Sequence, residues 1–172
     1  MVTVSGRLIG APVKRVEDPR FITGAARYVA DIRVPGVLHV AFLRSPYASA
    51  RIRRLDPSRA RGLPGVVAVI TGEDVANLGD MPANRVVEGM RVPPHPLLAR
   101  DGVRAVGEPV AAVVAEAPAL ARDALELIEV EYEPGPAVID PEEALKPGAP
   151  LVHPEFGTNV AFTFGREGGD VE

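Results

Sequence analysis

The sequence predicts an α/β or α+β domain with an extended N-terminal arm and a long proline-rich loop, and three observations predict it. Short apolar or alternating runs of strand length recur from residue 37 to residue 133. One convincing amphipathic helix, near 117–127, lies between two of them. Glycine and proline number 17 and 18 in 172 residues, too many for a helical bundle, yet they are not arranged as low-complexity sequence.

Residues 1–26 carry neither helix nor strand periodicity and are broken by Gly6, Gly10, Pro12, Pro19 and Gly24, which predicts an extended arm that needs a surface to lie on. A turn at Pro35-Gly36 leads into a first strand at 37–43. After the corner Arg44-Ser45-Pro46, Ala48, Ala50 and Ile52 alternate with Ser49, Arg51 and Arg53, the mark of a strand with one wet face. Asp56 as N-cap and Pro57 behind it predict a short helix that stops at Gly62. Residues 66–71 are β-branched and too uniformly apolar to be half exposed, so a central strand is predicted there. Thr71 followed by Glu73 and Asp74 predicts the start of a short helix capped by Thr71. The connection 79–96 holds Pro82, Pro93, Pro94 and Pro96 beside Met81 and Met90; a loop of that length is usually either disordered or occupied by a partner.

Two further strands are predicted at 103–106 and 110–115, around Gly107-Glu108-Pro109. Pro118 then opens the principal helix, in which Leu120, Ala121, Ala124, Leu125 and Ile128 share one face. It gives way near Leu127 to a strand in which Ile128, Val130 and Tyr132 point inward and Glu129, Glu131 and Glu133 outward. That β–α–β order favours packing the helix across a sheet. Prolines 136, 141, 147, 150 and 154 cut the remainder into short pieces, with one helical turn at 141–145 and a last strand at 159–164. The closing residues, 165–172, read as a linker.

Composition excludes several chemistries. A net charge of −4 argues against neutralising a nucleic-acid backbone, and with no Cys there is no thiol nucleophile, disulfide framework or thiolate metal site. No run of about 18 apolar residues is present, and the N-terminus lacks the charged start and apolar stretch of a signal peptide, so a soluble, cytoplasmic protein is expected. Neither a dinucleotide-binding glycine fingerprint nor a P-loop occurs. His39, His95 and His153 have no second ligand at metal spacing; His39 reads as a hydrogen-bonded structural imidazole and the other two as exposed loop residues. Ser45 lies outside any nucleophile elbow and is expected to bond backbone at its corner. Glu108 reads as a solvated turn residue, and Glu17 and Asp18, beside Arg15 and Arg20, as an ion-pair cluster anchoring the arm. If the strands carrying Arg51 and Arg53 and carrying Glu129, Glu131 and Glu133 are neighbours, opposite charges face each other across the ladder; two separately solvated faces are the equal alternative. From residues alone the chain is an interaction or scaffold domain.

Several strings bear a family resemblance. The run from Arg15 through Glu17, Asp18, Pro19, Arg20 and Phe21 to Gly24, then Tyr28, Asp31-Ile32 and Pro35 to His39, then Arg44-Ser45-Pro46-Tyr47 resembles the opening of the large, molybdopterin-binding subunit of molybdenum hydroxylases. Those are xanthine dehydrogenase, aldehyde oxidase and the aerobic carbon monoxide dehydrogenase large chain. The likeness continues through Pro64-Gly65-Val66, Val106-Gly107-Glu108-Pro109-Val110 and Glu129-Val130-Glu131-Tyr132, and covers most of the chain. Ala30 before Asp31, and Ser49 after the corner, depart from the family's usual strings and bear on subfamily and substrate.

The resemblance implies an α+β fold of the α/β-hammerhead type, with a mixed sheet, one principal helix near 117–127, an extended arm and a proline-rich loop. It divides the chain into an arm (1–26), the hammerhead domain (27–140) and an exit segment (141–172) whose Gly169-Asp170-Val171 begins a molybdopterin-binding region. The parent enzyme would be an oxidoreductase resembling carbon monoxide dehydrogenase or xanthine dehydrogenase. Its molybdopterin-type molybdenum cofactor would lie outside this chain, and its iron–sulfur clusters and FAD on partner subunits. No catalytic, cofactor or metal residue is carried onto this sequence, and the 172-residue chain is expected to be inactive by itself. Contacts to the molybdopterin-binding region and to the iron–sulfur and FAD subunits are assigned to Glu17, Asp18, Arg20 and Phe21 of the arm and to the corner Arg44, Ser45 and Pro46. The rival reading is a free-standing binding or assembly protein derived from this domain.

Overall fold

A computed structural model describes residues 9–166 together with 168 and 169. The chain divides into two compact units, Met1–Val37 and Leu38–Glu172. In the first, the arm is not extended throughout, as the sequence reading expected. A short helix, α1 (Asp18–Ile22), forms because Pro19 sits in its first turn with a preset φ, and the Thr23 N–H closes it on the Pro19 carbonyl. A 3₁₀ turn follows at Val29–Asp31, where the Tyr28 N–H donates to Asp31 Oδ2 at 2.8 Å. No described residue of this unit is buried.

The second unit contains six strands: β1 (His39–Arg44), β2 (Ala50–Asp56), β3 (Val66–Thr71), β4 (Gly102–Val103), β5 (Pro109–Ala115) and β6 (Glu129–Pro134). They form two three-stranded sheets, β1-β5-β3 and β4-β2-β6, with every pairing antiparallel. The single mixed sheet expected from the sequence is therefore two antiparallel ones. Two connections separate them. Pro46 has no N–H to extend a ladder, so the corner after β1 carries the chain away to β2. The helix α3 (Pro118–Leu125) leads from β5 not to a parallel neighbour but to β6 in the other sheet.

The central strand is β5, not β3 as the uniform apolarity of 66–71 suggested. Val110, Ala111, Ala112, Val113 and Ala115 are buried, so β5 is covered on both faces by small side chains. β3 is an edge with a bulge between Val66 and Ala68, which leaves Val67 56% exposed. The main core lies between this sheet and the helices: Ala121 and Ala124 of α3, with Ala60 of α2 (Ser58–Arg61), meet Val69, Ala111, Val113 and Ala115. α3 has only eight residues and would not hold as an isolated helix; its alanine face packs across β1 and β5, as the β–α–β order predicted. A second cluster, Ala50, Ala99, Val103 and Val110, joins the two sheets.

Other expectations are adjusted locally. Asp56 accepts from the Ser58 N–H at 3.0 Å, but the N-cap of α2 is Pro57, one residue later than the sequence reading placed it. At Thr71 the capping runs the other way: Asp74 Oδ2 accepts from the Thr71 N–H and hydroxyl, both at 2.8 Å, and a turn leads to a 3₁₀ turn at Ala76–Leu78. The strand expected at 103–106 ends at Val103, because Glu108 Oε2 takes the Arg104 N–H at 2.6 Å and folds the chain into a turn. The helical turn at 141–145 is α4 (Pro141–Ala144), capped by Asp140. The loop 79–96 is closed at its base by an Asp80–Pro96 bridge. The strand expected at 159–164 is absent. Asn159 there accepts from the Val152 N–H and donates to the Ala144 and Pro150 carbonyls, and Arg91 bonds the Val160 and Ala161 carbonyls, which uses the segment as a clasp. Of the linker reading at 165–172, residues 167 and 170–172 lie outside the described residues. No helix among the described residues is long and apolar enough to cross a membrane.

Candidate functional site

The corner after β1 is built from backbone. Ser45 is 2% exposed; its N–H donates to the Glu108 carbonyl (2.9 Å) and its carbonyl accepts from Gly107 (2.8 Å). Its hydroxyl donates to the Tyr47 carbonyl and accepts from the Tyr47 N–H, each at 3.0 Å. Both roles of the hydroxyl are thus committed to the backbone, as the sequence reading expected, and no proton acceptor is left to make it a nucleophile. Arg44 donates to the Gly107 carbonyl at 2.7 Å and stands 5.7 Å from the Phe42 ring. Arg44 and Pro46 are exposed. Gly107 takes φ +86°, a value open to glycine, and this lets the 104–109 turn face the corner.

Sequence reasoning passed over the residues that tie this corner to the second sheet. Tyr47 packs on Tyr132 of β6, with ring centroids 5.1 Å apart. Burial pushes the Tyr132 hydroxyl above its ordinary pKa. Tyr47 was legible as the residue completing the Arg-Ser-Pro string. Glu108 is half-buried and structural, not a solvated turn residue.

On the arm, Arg15 Nε pairs with Asp18 Oδ1 at 3.0 Å, and its guanidinium lies 5.9 Å from the Phe21 ring. Phe21 stacks on Tyr28 at 5.2 Å. Glu17 and Arg20 form no ion pair among the described residues, so the expected four-residue cluster reduces to one pair and an aromatic stack.

The charge ladder is present. β2 and β6 are neighbours, with Arg51 opposite Glu133 and Arg54 opposite Glu131. The bulge between Ile52 and Arg54 shifts the partners: Arg53 pairs with Glu133, Arg54 reaches Glu131 at 3.8 Å, and Arg59 of α2 takes Glu129 at 3.3 Å. Arg54 and Arg61 also line an open cavity of about 510 Å³, where Arg61 meets Asp74 at 3.4 Å. The hydrogen bonds from Thr71, more than the Arg61 charge, hold the Asp74 carboxyl below its ordinary range.

Three histidines stand on separate segments. His39 is half-buried with no side-chain hydrogen bond among the described residues, which corrects the expectation for it. His95 is exposed, whereas His153 is half-buried and bonded to Glu155 at 3.1 Å. No three His, Cys, Asp or Glu side chains gather to hold a metal among the described residues, and no buried side-chain polar atom there lacks a partner. The described side chains of the corner and the arm hold backbone and present surface.

The profile of the aldehyde oxidase and xanthine dehydrogenase α/β-hammerhead domain matches residues 23–136. The chain is 46% identical over 142 residues to the 6-hydroxypseudooxynicotine dehydrogenase complex subunit gamma of Paenarthrobacter nicotinovorans, covering 80% of this chain and 18% of that one. It is 42% identical over 150 residues to the carbon monoxide dehydrogenase large chain of Afipia carboxidovorans, covering 86% and 18%. Among solved structures, quinoline 2-oxidoreductase from Pseudomonas putida 86 superposes with a TM-score of 0.80 at 48% identity, over 87% of this chain and 19% of that one. The chain thus spans about a fifth of the length of these relatives.

Proposed function

Because the chain belongs to the molybdenum hydroxylases, as the α/β-hammerhead domain of their large subunit, we propose that it serves as an assembly domain of such an oxidoreductase, resembling carbon monoxide dehydrogenase or xanthine dehydrogenase. In this reading it performs no chemistry itself. It packs against a molybdopterin-binding region and against iron–sulfur and FAD subunits in the cytoplasm, with Glu17, Asp18, Arg20 and Phe21 of the arm and Arg44 and Pro46 of the corner as contacts. Ser45, buried, sets the corner's shape. The arm (1–26), body (27–140) and exit segment (141–172) are the working divisions, and the molybdenum cofactor belongs outside them. One observation carries the reading: the match fills most of this chain but only about a fifth of each relative, and that fifth is the hammerhead. A free-standing binding protein is not favoured by any feature of the fold.

The test is a purification tag placed at the chromosomal locus in the source organism. The expected product is a polypeptide several-fold larger than 18.2 kDa that carries molybdenum and co-purifies with flavin and iron. A product of 18.2 kDa without molybdenum would refute the proposal.

A further inference from the structure

The four outer strands of the two sheets are not equally protected against pairing with another strand. β3 is bulged, β4 has two residues, and β6 lines its edge with Glu129, Glu131 and Glu133 before ending at Pro134. Those are the usual devices that blunt a sheet edge. β1 has none of them: its pairing with β5 is regular from His39 to Leu43, its one shift falls at Arg44, and no acid, lysine or proline interrupts it. Among the described residues no strand pairs with its outer side. Val40 and Phe42, on the sheet face opposite the Ala41 and Leu43 that meet the core, are 55% and 46% exposed. Among the four outer strands of the described sheets, β1 is the one that combines a regular, unblunted edge with two exposed apolar side chains.

We propose that β1 is a strand-addition site, filled by an extended segment of alternating apolar residues belonging to the same large subunit and lying outside these 172 residues; this rests on the reading under Proposed function. The added strand bonds the outward N–H and C=O groups of 39–43 and lays side chains over Val40 and Phe42. A single strand decides between occupants. A separate molecule, or a second copy of this chain, must offset the translational and rotational cost of association with one six-residue edge. A segment on the same polypeptide bears no such cost, and relatives about five times the matched length have chain to supply it.

Amide hydrogen exchange by mass spectrometry tests this on the tagged large subunit from the source organism and, in parallel, on the 172-residue chain. In the short chain the outward amides of 39–43 exchange at least tenfold faster than those of β5; in the large subunit they slow to the β5 rate. The double variant V40K/F42K leaves the short chain's melting temperature unchanged, because both side chains are exposed, and restores fast β1 exchange in the large subunit. If the large subunit is isolated with β1 amides as fast as in the short chain, strand addition is wrong while the assembly role stands. If the tagged product is only the short chain, both fail. A stable dimer of the short chain that V40K/F42K disperses assigns the edge to a second copy and overturns the proposal.

Discussion

The junction of the two sheets is the part of the fold most exposed to a single methyl group, and Gly72→Ala tests it. Gly72 follows β3 and faces Ala99 and Arg100, which lead into β4 of the other sheet. A Cβ there would stand 2.5 Å from Arg100 Cγ, 2.6 Å from the Ala99 carbonyl oxygen and 3.1 Å from its carbon. The Arg100 stem can swing aside, but the Ala99 backbone cannot, since its N–H is held by the Pro109 carbonyl at 2.8 Å and its side chain is buried. Gly72 has no positive φ, so close approach alone is at issue. Overpacking of this kind costs about 1–3 kcal/mol. At about 2–4 °C per kcal/mol for a chain of this size, the melting temperature should fall by about 2–12 °C. Gly62→Ala is the control: the nearest atoms to its Cβ are carbonyl oxygens at 3.6 and 3.7 Å and its φ is −82°. It should leave stability unchanged or raise it by up to about 1 kcal/mol through the unfolded state. Scanning calorimetry on the two variants decides. A Gly72→Ala protein that melts with, or above, Gly62→Ala refutes the close approach and with it this description of the junction.

Asn159→Ala removes three hydrogen bonds that join 144, 150 and 152, so about 1–3 kcal/mol of local stability is lost; limited proteolysis should cut 141–164 faster while the main core melts as before. For Asp74 the folded pKa lies below its ordinary 3.8, so its contribution is present above that value and is lost as pH falls through the lowered one; Asp74→Asn should flatten the acid limb of a urea-unfolding series below about pH 4. Glu131→Lys places like charges opposite Arg54 and should destabilise by about 0.2–1 kcal/mol at low salt, an effect that shrinks in 1 M NaCl because both side chains are more than half exposed.

The clearest elements in the sequence were those whose pattern is set by one neighbour. β6 was legible because Glu129, Glu131 and Glu133 alternate with inward residues over one solvated face, and α3 because its alanines and leucines recur at helical spacing. The order of strands was not legible. Both 66–71 and 110–115 read as strands, and only packing decides which is central: Ala111 and Ala115 of β5 meet α3 on one side and Val110 meets Ala99 and Val103 on the other, whereas a bulge turns Val67 outward in β3. Asn159 misled because its segment has β-forming residues, while the carboxamide that binds three backbone groups leaves no periodic trace. At the corner, Ser45 was legible as a backbone-binding residue. The Tyr47–Tyr132 stack and the Glu108–Arg104 turn were not, since each joins segments whose proximity depends on the two-sheet arrangement.

That arrangement also bears on what the domain presents to a partner. Arg53 and Arg54 of β2 and Arg59 of α2 pair with the glutamates of β6, and Arg61 with Asp74. Such exposed pairs contribute little stability each, but they neutralise the face on which they lie. Ser45 is held by backbone, the histidines stand apart, and the cores are built from alanine and valine. Among the described residues β1 keeps an apolar face and an open backbone edge. A regular sheet edge with exposed apolar side chains is suited to recognising polypeptide, which is the role proposed for the domain.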